Sequence, residues 1–246
     1  MKRISLVLLF CAIFTSPNAY AQFDTLTIPP SVKKSRMKPL IVPFSLLTAG
    51  VLLSNGSFEK DIQRSSRKMA GSDFRVEIDD YTRYAPIAGM YIADAFGVKA
   101  KNHWFDQTKN LAITLIVTDF ITGKLKQSTN KVRPGGGEKK TSFPSSHTSL
   151  AFAGATVLFK EFRETSPWLA YSGYGVAAAT GILRIMNNKH WTADVLVGAG
   201  IGMLVGEIVY MFDPIIKWNP FLKTKDITIQ PMIDEGHYGM YVGIKL

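Results

Sequence analysis

The chain has 246 residues, 46% of them apolar, with 20 Gly, 15 Phe, a single Cys and a formal charge of +10. This composition excludes a disordered chain, a collagen-like repeat and a disulfide-stapled mini-protein, and one cysteine excludes internal disulfides and cysteine-ligated zinc. The basic surplus points to an anionic partner: nucleic acid, a lipid headgroup or a phosphorylated substrate.

The chain opens with basic Met1-Lys2-Arg3, an apolar run over residues 4–14 and a small-x-small Ala19-Tyr20-Ala21. The run is short of the roughly 20 residues that span a bilayer, so residues 1–21 read as a signal peptide. Cleavage after Ala21 removes Cys11 and leaves a formal charge of +8. A chain without cysteine suits an oxidising compartment. About 225 residues remain, enough for one domain or two small ones.

Residues 22–39 are polar, contain Pro29-Pro30 and read as a linker. The predicted domain covers residues 40–212. Its apolar patterning predicts six helices, over residues 40–54, 83–98, 110–122, 149–159, 168–183 and 193–212. The charged stretch 55–81 predicts a surface helix at 61–69 and a short extended piece at 74–78. Asp79 and Asp80, before Tyr81, read as a helix N-cap rather than a metal pair. Gly123 is expected to end the third helix, before a basic loop over residues 124–143. Gly154, Ala155, Ala177, Ala178, Ala179, Gly198, Gly200, Gly202 and Gly206 predict close helix contacts. In the tail, residues 213–246, Ile227, Ile229 and Ile233 alternate with polar residues, as do Tyr238, Met240, Val242 and Ile244 beyond Asp234-Glu235-Gly236. This predicts a β-hairpin.

Three clusters sit at helix edges: Lys126-x6-Arg133-Pro134, Pro144-Ser145-Ser146-His147, and Arg184-x5-His190-x3-Asp194. Three cations, Lys126, Arg133 and Arg184, would clamp one anion if the helix ends meet; Arg forks match phosphate oxygens. Ser145, Ser146 and His147 at a helix start offer free N–H groups and the positive end of a helix dipole, a phosphate seat. His190 and Asp194 are four apart, so one helical turn sets them on one face. A carboxylate on one ring nitrogen frees the other to attack, and His147 can protonate the leaving oxygen. This set suits phosphoryl transfer through a phosphohistidine, with no metal and no cofactor. Gly135-Gly136-Gly137 lacks the Gly-Lys-Ser/Thr of a phosphate loop and reads as a flexible turn. His103 and His237 lie outside the clusters and read as surface or loop histidines.

These three motifs, in this order and spacing, resemble the signatures of the type 2 phosphatidic acid phosphatase superfamily. That superfamily includes bacterial lipid phosphatases, vanadium haloperoxidases and soluble class A acid phosphatases. The resemblance covers about residues 40–212. It implies an all-α, six-helix bundle, membrane-associated, with the terminal hairpin outside it. It also implies that His190 is the nucleophile and Asp194 its partner. His147 would be the general acid, and then the base that activates water. Lys126, Arg133, Arg184, Ser145 and the amides around Ser146 would hold phosphate. Two positions depart from the family pattern. Ser146 stands where Gly is usual, so the turn must avoid strongly positive φ. Leu183 stands where Ser is usual, removing a helper hydrogen bond to the clamp.

Three functions compete. The first is a membrane lipid phosphatase, acting on lipid A, polyprenyl diphosphate or phosphatidate-type lipids. The second is a soluble periplasmic non-specific acid phosphatase, and the third a non-catalytic protein that binds anionic lipid. Several helices of about 15 residues fall short of a span, and mean hydropathy is only +0.08. The favoured expectation is a lipid phosphatase exported to the envelope of a Gram-negative bacterium, its site facing the periplasm. Residues 124–140 carry a net +5 without the interleaved aromatics of nucleic-acid binding, so no nucleic-acid partner is expected.

Overall fold

A computed structural model of the chain describes residues 37–71, 73–136, 140–216 and 218–221, and the backbone of two strands beyond them. The signal peptide and most of the linker lie outside the described residues. A 3-10 turn, Lys38–Leu40, leads into α1, Ile41–Leu53. Asn55, at φ 63°, helps turn the chain by 96° into α2, Ser57–Ala70. Then come α3, Asp79–Thr82; α4, Ala85–Ala95; α5, Trp104–Thr129; α6, Ser146–Phe162; α7, Pro167–Met186; and α8, Thr192–Phe212. Strands β1, Ile227–Asp234, and β2, His237–Ile244, pair antiparallel, Ile227 opposite Ile244 and Asp234 opposite His237.

The described chain therefore holds eight α-helices, not six. The two beyond the six apolar ones are α2, which contains the surface helix expected at 61–69 but starts four residues earlier, and α3. Helix α2 buries Glu59 and Gln63, one turn apart, rather than an apolar stripe. A search for apolar periodicity passes over such a polar seam. Helix α5 also overrides its sequence reading, because Gly123 does not end it. It starts at Trp104, with the His103 ring accepting from the Phe105 N–H, and runs to Thr129, where Asn130 turns left-handed at φ 47°. One interior glycine weakens a helix by only about 1 kcal/mol. Buried Thr122 before the glycine, and after it Leu125 in the core and Thr129 donating to the Phe143 carbonyl at 2.9 Å, outweigh that. Lys126 consequently stands on a helix, not in a loop.

Helices α6 and α8 form the centre. Val197, Ile201, Val205 and Val209 of α8 pack with Phe143 and with Ile113, Ile121 and Leu125 of α5. Val157, Leu158 and Phe162 of α6 join Met90, Leu111, Ala170 and Tyr210 at the far end. Each such buried side chain stabilises by about 1.5–3 kcal/mol. The approach of α8 to the start of α6 depends on Gly198, where a Cβ would fall 2.6 Å from the Ser145 carbonyl oxygen. That approach lays the second motif against the third.

Candidate active site

The three motifs meet at one end of the bundle. Lys126 lies in the last turn of α5, donating to the Thr141 carbonyl at 2.9 Å. Arg133 follows in the loop between α5 and α6. Arg184 ends α7, and His190 sits in the α7–α8 loop, two residues before α8. The loops are tied together by bonds to backbone carbonyls. The Gly135 N–H donates to Asn188 O at 3.1 Å, the Trp191 indole N–H donates to Val132 O at 2.8 Å, and the Ser142 N–H donates to Lys131 O at 2.9 Å.

His190 is buried, and its Nδ1 lies 2.8 Å from the Ser142 carbonyl oxygen. A carbonyl only accepts, so Nδ1 carries the proton and Nε2 keeps its lone pair for attack. Asp194 is farther, with Oδ2 at 3.5 Å from Nδ1. That oxygen accepts instead from the Ser142 hydroxyl at 2.5 Å and the Trp191 N–H at 2.9 Å. Asp194 thus orients the ring partly through Ser142, a residue the motif spacing does not mark. Burial holds the His190 imidazole down at about 4; Asp194 opposes this, while Lys126 and Arg184 add to it. The ring is therefore neutral, the form a nucleophile needs.

The cations feel one another, which places them around one volume. Lys126 is pushed down to about 8, chiefly by burial and then by Arg133, with Asp194 opposing and Arg184 adding. Arg133 is lowered too, by burial and by Arg184. Like charges gathered in this way favour binding an anion.

Ser145 is the N-cap of α6, its Oγ accepting from the Thr148 N–H at 3.4 Å and from the Thr148 hydroxyl at 2.9 Å. Its own N–H donates to Asp194 O at 3.0 Å. Ser145 is fully buried and builds the helix start beside the clamp. Ser146 and His147 are the first two helical residues, whose N–H groups have no intrahelical acceptor. Ser146 is in helical conformation, so the substitution for Gly carries no left-handed strain.

His147 points its Nε2 at Asp80 Oδ1, 2.6 Å away, with Arg83 Nη1 at 3.1 Å. Burial and Arg184 bring the His147 imidazole down to about 4, and Asp80 works against them. The bond to His147 in turn lowers the Asp80 carboxyl. Asp79 pairs with Arg184 at 2.6 Å, both buried, and Asn187 joins Asp79 to the backbone of Val76. The residue at the N-cap of α3 is Ile78, so Asp79 and Asp80 do not cap it; they face the second and third motifs. Arg184, which lacks the family's preceding Ser, has Asp79 as partner instead.

Gln63 of α2 donates to Ile185 O at 3.0 Å and to the Asn188 side chain at 2.8 Å, bracing the same loop. Sequence reasoning passed over Glu59, Gln63, Arg83, Lys131 and Ser142, and it read Asp79 and Asp80 as a helix cap rather than as site residues. A signal existed for two of them: Asp79 and Asp80 are adjacent carboxylates in a chain with a +10 surplus. Lys131 and Ser142 lie in the stretch that joins the first motif to the second.

Among the described residues, no group of three or more His, Cys, Asp or Glu side chains is arranged to hold a metal ion. The parts present are an imidazole with a free Nε2, a second imidazole beside a carboxylate, a three-cation clamp and the start of a helix. They are the parts of a nucleophile, a proton donor and a seat for a phosphoryl group.

Comparison with known proteins agrees. The sequence profile of the PAP2 superfamily matches residues 107–217. The lipid A 1-phosphatase of Porphyromonas gingivalis is 32% identical over 221 residues, covering 83% of this chain and 48% of that protein. The probable diacylglycerol pyrophosphate phosphatase 1 of Schizosaccharomyces pombe is 31% identical over 113 residues, covering 41% of this chain and 39% of its own length. The chain thus spans less than half the length of these curated relatives. In fold, it is similar to the crystal structure of a transmembrane PAP2 type phosphatidylglycerolphosphate phosphatase from Bacillus subtilis. The TM-score is 0.52 at 20% identity, covering 72% of this chain and 98% of that one. The chain belongs to the PAP2, or type 2 phosphatidic acid phosphatase, superfamily.

Proposed function

We propose that this protein is a membrane-embedded phosphatase of the bacterial envelope that removes phosphate from lipid headgroups, lipid A-type glycolipids first among them. The observation that carries the reading is the neutral His190, its Nδ1–H held by the Ser142 carbonyl, beside the mutually depressed Lys126 and Arg133. In the first step, His190 Nε2 attacks phosphorus, an N–P bond forms and the P–O bond breaks. His147 gives a proton to the leaving oxygen. The bound phosphate's negative charge raises the His147 imidazole from its low resting value, so the acid form is available when substrate is present. Water then attacks phosphorus, a P–O bond forms as the N–P bond breaks, His147 takes the water's proton, and inorganic phosphate leaves with His190 Nε2 free again. Lys126, Arg133 and Arg184 hold the equatorial oxygens throughout, and the α6 amides add the helix dipole.

Lipid as the substrate class is supported by α5. Its buried face carries Gln107, Asn110, Thr114, Thr118 and Thr122, while Ile116 and Phe120 are 69% and 63% exposed. A water-soluble helix turns its apolar stripe inward. Here a buried row of polar residues runs beside core-packed Leu111, Ile113, Ile121 and Leu125, while Ile116, Val117 and Phe120 form an outward apolar patch, which suits a lipid surround. A glycolipid phosphate as first choice is supported by the likeness to the P. gingivalis lipid A 1-phosphatase over most of this chain.

The test is a panel of phosphate-release assays on lipid A, undecaprenyl diphosphate, phosphatidylglycerol phosphate and p-nitrophenyl phosphate. The expected result is fastest release from a lipid, with His190→Ala inactive on all four. Turnover confined to p-nitrophenyl phosphate in detergent-free buffer would replace this reading with the soluble acid phosphatase.

A further inference from the structure

Helix α2 reaches the reacting centre through a buried chain of charges. Lys131 Nζ lies 2.9 Å from Asp194 Oδ1 and 2.8 and 3.0 Å from the two carboxylate oxygens of Glu59. The side chains of Glu59, Lys131 and Asp194 are 1%, 7% and 0% exposed. Glu59 is also held by backbone. Its Oε2 accepts from the Asn55 N–H at 2.8 Å, and its Oε1 accepts from the Ala193 N–H at 3.1 Å. Ala193 is the second residue of α8 and the neighbour of Asp194. One carboxylate therefore fixes the ammonium and the start of the helix that carries Asp194.

The charges explain why two carboxylates share one ammonium. When His190 Nε2 bonds to phosphorus with Nδ1 still protonated, the ring becomes cationic. A lone Asp194–Lys131 pair would be neutral and would leave that charge uncompensated. With Glu59 on the far side of Lys131, the trio carries one net negative charge. The ammonium meanwhile forms an ion pair, at 2.9 Å and without a hydrogen bond, with the Asp194 oxygen that Ser142 and Trp191 do not hold.

We propose that Glu59 and Lys131 are positioning residues of the phosphoryl transfer, setting the charge and orientation of Asp194 and, through it, of His190. The proposal rests on the phosphohistidine reading above. The groups that act on His190 are Asp194 of α8, Lys126 of α5 and Arg184 of α7, so the contribution of Glu59 must be read against these.

The test uses the full chain in detergent, with lipid A as substrate, and compares Glu59→Gln, Lys131→Arg and the double variant Glu59→Gln/Lys131→Met. Glu59→Gln leaves an uncompensated ammonium. It is expected to lower kcat by about 10–100-fold with KM nearly unchanged, the scale seen for residues that orient a reacting group from behind. The acid limb of kcat/KM moves to lower pH, because the stranded cation further disfavours imidazolium. The double variant removes the ammonium, so the acid limb returns toward that of the parent. Its kcat stays low, because Asp194 has lost its anchor. Lys131→Arg keeps the charge and retains most of kcat. A purely structural pair would lower thermal stability while leaving the acid limb in place. An unmoved limb in Glu59→Gln, or parental kcat in the double variant, overturns the proposal. The double variant replaces the buried pair by neutral groups of similar size and is the safer of the two to fold. The His190 titration is also followed by NMR of 13C-labelled histidine. If the parent released phosphate from no substrate, the functional reading would fail, and this titration would still judge the positioning.

Discussion

His190 combines two properties that usually oppose each other: deep burial and proximity to a carboxylate. Burial dominates, and the imidazole sits near 4 rather than at 6.5. The sign for activity follows directly. The neutral ring attacks, so with p-nitrophenyl phosphate, whose leaving group needs no proton from His147, kcat/KM should stay level as pH falls through 6.5 and drop only near 4 on the His190 limb. The pH dependence of kcat/KM in a buffered series from 3.5 to 8 measures this. An acid limb centred near 6.5 would show that the ring is solvated and the buried geometry wrong. Removing the carboxylate separates geometry from charge. Asp194→Asn should lower kcat by about 10³-fold or more, since the ring loses its orienting partner and its counter-charge. These residues also show how far sequence alone reaches. The motif residues His147, His190, Asp194, Lys126, Arg133 and Arg184 are legible because chemistry fixes both their type and their spacing. Ser142 is not, because its carbonyl could come from any residue and its hydroxyl reaches Asp194 across 52 positions. Glu59 is not, because it reaches Lys131 across 72 positions.

At the scale of elements, the site exists where α6, α7 and α8 begin or end, so helix placement decides its geometry. Gly198 is the sharpest case. A side chain there would press on the Ser145 carbonyl and on Thr148, driving α8 away from the start of α6. Gly198→Val is expected to destabilise the bundle by about 1–3 kcal/mol, the usual range for overpacking. Thermal unfolding in detergent reads this loss. Because the second motif shifts relative to Asp194, phosphate release should fall further than stability does. Activity tracking the folded fraction alone would count against this. The elements most visible in the sequence were the apolar ones, α1 and α4 to α8. Helix α2 was only partly legible, because its buried face is polar. The end of α5 was misplaced because local propensity at Gly123 yields to tertiary contact.

For the molecule as a whole, the balance of charge and apolar surface now has a spatial meaning. Half of the formal surplus, a net +5 of +10, lies in residues 124–140, the stretch that carries Lys126 and Arg133. Among the described helices, α8 alone is long and apolar enough to cross a bilayer, yet 67% of its apolar window is buried inside the bundle. Membrane association must therefore rest on outward faces such as that of α5 rather than on α8 alone. The protein is expected to remain in the membrane fraction through alkaline carbonate washing and to leave it with detergent. Ile116→Lys/Phe120→Lys should release a larger share without detergent. Recovery of the parent chain in the wash would favour the soluble reading.

The central claim is a phosphohistidine at His190, and rapid quench with 32P-labelled p-nitrophenyl phosphate tests it most directly. p-Nitrophenolate leaves without a proton, so His147→Ala should still form the phosphoenzyme and then hydrolyse it slowly. The account predicts a label that is stable in alkali, lost in acid, enriched in His147→Ala and absent in His190→Ala. A label that survives in His190→Ala, or turnover without any labelled protein in His147→Ala, would contradict it.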